Sequence, residues 1–121
     1  FQRDLDAGRR PALTPRLMGA ARMLLVLRQY QQAEVVLKLL VRGAPKTSSV
    51  WADLGACQLR LNKPEEAVKA LEQATRLSPR NATAWFNLGQ GYERLGQTER
   101  AQDAMARAQR LGLRTPETPS P

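Results

Sequence analysis

The chain has 121 residues, the size of one domain, and its 42% hydrophobic and 25% charged content fits a single globular unit. One cysteine and no histidine exclude a disulfide framework, a thiolate or imidazole zinc cluster, and the Ser-His and Cys-His nucleophile pairs. Aromatic residues at 5% are too few for a β-sandwich, whereas abundant Ala, Leu, Gln and Arg predict an all-α protein, and the net charge of +8 asks for an acidic partner or a solvated face.

In chain order, residues 1–13 form an N-terminal extension, and the first two helices are predicted over about 15–29 and 32–42. Leu17, Met18, Met23, Leu24, Leu25, Val26 and Leu27, then Val35, Val36, Leu37, Leu39, Leu40 and Val41, make both helices apolar around most of their circumference. Such a face needs a cover: residues 1–13, a second copy of the chain, or a partner, docking through Leu24, Leu27, Val36, Leu39 and Leu40. The same stretch is the most basic part of the chain, with Arg16, Arg22, Arg28, Lys38, Arg42 and Lys46 against Glu34 alone.

Helices three and four are predicted over about 48–61 and 64–77. Trp51, Leu54, Gln58 and Leu61, then Ala67, Ala70, Leu71, Ala74 and Leu77, recur at helical spacing on either side of the Asn62-Lys63-Pro64 break, which describes a helical hairpin. Gly55, Ala67 and Ala74 let the two backbones approach, Pro64 with Glu65 and Glu66 suits a helix first turn, and Pro79 closes the unit. Helices five and six follow over about 82–95 and 98–111, joined through Leu95-Gly96-Gln97, with Thr98 as the expected N-cap and Gln102 near the capping-box position. The polar residues of the last helix give it a wet face of its own. Residues 116–121 form a Pro-rich tail.

Trp51 and Trp85 lie 34 residues apart, and the match extends along both segments. Trp51, Leu54, Gly55, Ala67, Leu71, Ala74 and Pro79 are followed in register by Trp85, Leu88, Gly89, Tyr92, Ala101, Met105 and Ala108. This pattern resembles the tetratricopeptide repeat. Projected backwards, the register gives a degenerate first copy that keeps Ala33, Leu37 and Pro45 but has Leu17, Ala20, Ala21 and Leu24 in place of the Trp, Leu, Gly and Tyr. The resemblance implies a short right-handed solenoid of three hairpins, at 14–47, 48–81 and 82–115, whose first helices line a concave groove.

By the family's pattern that groove takes Met18, Gly19, Arg22, Leu25 and Val26 from the first copy and Ala52, Asp53, Ala56, Leu59 and Arg60 from the second. The third supplies Phe86, Asn87, Gln90, Glu93 and Arg94. Met18, Leu25, Ala56, Leu59 and Phe86 would make an apolar floor for an extended or helical peptide. The carboxylate clamp of many co-chaperones in the family would fall on Met18, Arg22, Asp53, Thr83 and Asn87, so it is absent here, and Asp53 would repel a carboxylate. Three repeats in a chain of this size, with Leu54-Gly55-Ala56-Cys57-Gln58, are similar to the small chaperones of bacterial type III secretion systems, which hold a secreted subunit in the cytoplasm. The strongly basic charge departs from many of those chaperones, which are acidic.

No residue set suggests catalysis. Trp51 and Trp85 are expected between helices rather than on a ligand, Gly89-Gln90-Gly91 falls inside a helix with no strand before it, and Asn81-Ala82-Thr83 spans a junction between repeats. Cys57 has no histidine to activate it and is expected to be a buried thiol. The expectation is a protein-binding module with no enzymatic activity, cofactor or metal, located in the cytoplasm, with no membrane span, and able to pair through its first repeat as a homodimer or heterodimer. A self-associating scaffold and a basic nucleic-acid-binding adaptor are the alternatives. Lack of aromatic platforms among the first-repeat arginines argues against nucleic acid.

Overall fold

The computed structural model describes residues 16–112, as six helices joined by short turns. They are α1 (16–26), α2 (Tyr30–Gly43), α3 (Ser48–Arg60), α4 (Pro64–Leu77), α5 (Ala82–Arg94) and α6 (Thr98–Arg110). The expected extension at 1–13 and tail at 116–121 lie outside the described residues.

The turn inside each hairpin has one design. Arg28, Asn62 and Gly96 take left-handed φ values of 61°, 62° and 77°, at a spacing of 34. Just beyond them, Gln29 N–H donates to Leu24 O at 2.8 Å, Lys63 N–H to Gln58 O at 2.8 Å and Gln97 N–H to Tyr92 O at 2.9 Å. Shorter-range bonds from Arg28, Asn62 and Gly96 N–H to Leu25, Leu59 and Glu93 O complete the pattern, which satisfies carbonyls that a helix end leaves free. The first hairpin therefore keeps the turn of the others although its sequence shows no Gly or Asn there. This corrects two predicted boundaries: α1 stops at residue 26, before the left-handed Arg28, and α2 starts at Tyr30. Thr98 is likewise the first residue of α6 and not its cap; Gln97 holds the cap position and makes no side-chain capping bond. Pro64 opens α4 as expected, with Glu65 and Glu66 in the first turn.

Packing follows the 34-residue register. Gly55 and Gly89 sit where helix backbones meet: a Cβ on Gly55 would collide with the Leu71 side chain, and one on Gly89 would lie 2.9 Å from Met105 Cγ and 3.1 Å from Ala101 O. Each indole is half-buried against the core, and its Nε1–H donates to the carbonyl of the proline six residues earlier, Trp51 to Pro45 at 2.7 Å and Trp85 to Pro79 at 2.8 Å. One apolar cluster joins Ala21 of α1, Leu37 of α2, Leu54 of α3 and Ala70 of α4. The other joins Leu59, Leu71, Leu88 and Ala101 of the four later helices, so each hairpin rests on its neighbour.

One charged group is buried between the first two hairpins. Glu34, 6% exposed, accepts from Lys63 Nζ at 2.9 Å and Gln58 Nε2 at 3.3 Å, with Lys38 Nζ at 3.6 Å. Burial would raise its pKa, but the bonds from Lys63 and Gln58 and the two ammonium charges outweigh that effect and hold the carboxyl below its ordinary 4.5. A depressed carboxyl contributes stability that is present above its unfolded pKa and lost as pH falls through the folded one. The urea midpoint, followed from about pH 6 to about pH 3, should therefore fall more steeply in the wild type than in Glu34→Gln; parallel profiles would show that Glu34 adds nothing.

Candidate protein-binding groove and the exposed face of the first hairpin

The first helices of the three hairpins carry the expected groove positions, and the structure divides them. Met18, Leu25, Asp53, Ala56, Phe86, Asn87 and Gln90 are half-buried, while Arg22, Arg60 and Glu93 are exposed. Ala52 at 5% and Leu59 at 3% exposure belong instead to the core between the second and third hairpins. Gly91 of α5 lets that helix approach α4: a Cβ there would collide with Val68 Cγ2 at 2.8 Å, while Leu59 Cδ2, at 3.7 Å, is in ordinary contact. The Leu59 carbonyl accepts from Arg94 Nη1, which ties the end of α3 to α5. Of the expected apolar floor, Met18, Leu25, Ala56 and Phe86 keep partial exposure. Burial pushes the Asp53 carboxyl up, and the nearby Arg22 charge opposes that rise.

The apolar surface of the first hairpin is also redistributed. Leu40 is core at 2% exposure, and Leu24 and Val36 pack half-buried against that core. Leu27 and Leu39 are more than half exposed, as are Val26 at 77%, expected in the groove, and two side chains not singled out for docking, Val35 at 61% and Met23 at 59%. The register contained the signal for two of these five. Val35 and Leu39 occupy positions held by Lys69 and Gln73 in the second copy and by Asp103 and Arg107 in the third, where polar residues face outward. Exposed cations share these faces: Arg22 is one turn from Val26, Lys38 one turn from Val35, and Arg42 one turn from Leu39.

Other candidate groups are structural. Cys57 is buried, its Sγ–H donates to Tyr30 O at 2.9 Å, and burial together with the Glu34 charge, against an opposing Lys63, pushes its thiol up to about 11. Asn81 is the N-cap of α5: its Oδ1 accepts from Ala84 N–H at 3.1 Å while its Nδ2 donates to Ser48 Oγ at 3.1 Å. Among the described residues no group of three or more Cys, Asp or Glu side chains is placed to hold a metal ion, and no helix is long and apolar enough to cross a membrane.

This architecture of stacked hairpins with a 34-residue register is that of a tetratricopeptide solenoid. The chain belongs to the tetratricopeptide repeat family, whose sequence model matches residues 53–114. No curated protein sequence matches it. Among solved structures it is similar to the type III secretion chaperone SycD of Yersinia enterocolitica in complex with a peptide of the translocator YopD, at 19% identity over 85% of this chain and 79% of that one, with a TM-score of 0.78. It is also similar to the second tetratricopeptide domain of Spaghetti (RPAP3) bound to the HSP90 peptide SRMEEVD, at 18% identity over 81% and 91% of the two chains and a TM-score of 0.79. A third, MamA of MSR-1, shares 20% identity over 81% of this chain with a TM-score of 0.74, and this chain spans 56% of its length.

Proposed function

We propose that this chain is a cytoplasmic holding chaperone or adaptor, without catalysis, that binds another protein through the groove and through the exposed face of its first hairpin. The observation that carries this reading is the first hairpin itself. Five large apolar side chains on it are more than half exposed, an arrangement that a monomer in water gains nothing by keeping. Cations beside them favour a partner with acidic residues flanking apolar anchors. Self-association through the same face would set those cations against their own copies, so a heterologous partner is the better fit. The likeness to SycD with its YopD peptide supports a type III secretion subunit as the cargo. With Met18 and Asp53 at two positions of the carboxylate clamp, a terminal carboxylate of the HSP90 kind is not the ligand.

The groove is tested with Phe86→Glu. Because Phe86 is half-buried at an expected groove position of α5, the variant should keep its helical circular dichroism and lose the partner that copurifies with the wild type from the native host. Recovery of that partner in undiminished yield would move the site off the groove.

A further inference from the structure

In the third hairpin two arginines of α6 lie on aromatic rings of α5. Arg107 Cζ is 4.8 Å from the Trp85 ring centroid, and Arg100 Cζ is 6.0 Å from that of Tyr92. Thirty-four residues earlier the same positions are held by Gln73 against Trp51 and by Glu66 against Gln58. No cation lies over the Trp51 ring among the described residues, and Gln73 Oε1 is engaged by Arg76 Nη1 at 3.2 Å. In the third hairpin Arg107 occupies one side of Trp85, leaving a cavity of about 320 Å³ toward Pro79 and Leu111, whereas the second has an open cleft of about 390 Å³ between α3 and α4, walled by Trp51, Leu54, Gln58, Glu66, Lys69 and Gln73.

The cleft has the chemistry of a cation site. An indole face is the best aromatic partner for a guanidinium, which stacks flat and leaves its N–H edge free for a carboxylate. Glu66 supplies that carboxylate at the rim: its side chain is 53% exposed and only 4.0 Å from Lys63 Nζ, which is held more closely, at 2.9 Å, by Glu34. Deeper in, Gln58 donates to Glu34 while its Oε1 is buried with no hydrogen-bond partner. We propose that this cleft receives an arginine side chain of a docked protein, its guanidinium over Trp51 and beside Glu66, as Arg107 lies over Trp85 within the chain. Lys69 on the wall opposes the incoming charge, so its removal should strengthen the site. None of the groove positions lines the cleft, and the proposal stands whether or not Phe86→Glu loses the copurifying partner.

The test follows the two indole N–H resonances of the full 121-residue chain by NMR during titration with N-acetyl-argininamide, with the uncharged isostere N-acetyl-citrullinamide as control. Trp51 should shift and Trp85, whose ring already holds Arg107, should shift far less. Glu66→Gln should weaken the response roughly threefold and Lys69→Ala should strengthen it. Gln73→Arg, which fills the cleft from within, should abolish it while the unchanged Trp85 signal shows that the fold persists. A silent Trp51, an equal response to the citrulline compound, or indifference to Glu66→Gln would each overturn the proposal.

Discussion

Replacement of Leu71 by Ala is expected to cost about 2–5 kcal/mol, among the larger losses a single truncation can cause in this chain. Leu71 is fully buried, and its side chain occupies the space left by Gly55, so it joins the two helices of the central hairpin at their closest approach. That hairpin contacts both others, and a solenoid has few interactions beyond nearest neighbours to offset a failed layer. For a chain of this length the loss corresponds to a fall in Tm on the order of 10–25 °C, measured by thermal circular dichroism. Gly55→Ala should also destabilise, by overpacking against the same side chain. The double variant should cost less than the two singles combined, because the new methyl enters the space that Leu71 vacates. Strict additivity would mean that the two positions do not share that space.

Partner binding is the second large effect. If burial on the first hairpin dominates, Val26→Asp and Leu39→Asp should each weaken the complex roughly tenfold to a hundredfold while leaving the isolated fold intact, since both side chains are already exposed. Raising salt from about 50 to 200 mM should change affinity only modestly, because the arginines steer an acidic segment and supply little of the final energy. A nucleic-acid binder making about 6–10 phosphate contacts would lose on the order of a thousandfold or more over that range. Isothermal titration at the two salt concentrations separates them. A steep salt slope with DNA or RNA, together with wild-type behaviour of both aspartate variants, would replace the chaperone reading with a nucleic-acid one. Concentration-dependent growth in light scattering, lost in the same variants, would favour self-association.

The register and the hairpins were legible in the residues because they depend on local chemistry. Pro64 lacks the N–H that a first turn leaves unused, Asn62 and Gly96 tolerate the left-handed turn, and the 34-residue recurrence of Trp, Gly and Ala marks where helices must approach. Arg28 adopts the same turn with no such residue, and only the packed hairpin around it could impose that conformation. Asn81 likewise reads only as part of a junction between repeats until α5 begins at Ala82 and makes it a cap.

Which apolar side chains are free was beyond periodicity alone. A helical stripe shows that Leu40, Leu59, Val35 and Leu39 are apolar, but whether each meets core or water depends on which helices stack beside it. Leu59 packs into the core shared by the second and third hairpins, and α3 covers the inner face of α2 around Leu40. Val35 and Leu39 lie on the outward face, where the later copies carry polar residues. Glu34 found Lys63 across 29 residues for the same reason: stacking two hairpins brought them together. Sequence thus determined the units and their period, while burial, ion pairing and the exposed face were decided by tertiary stacking, which no local spacing encodes.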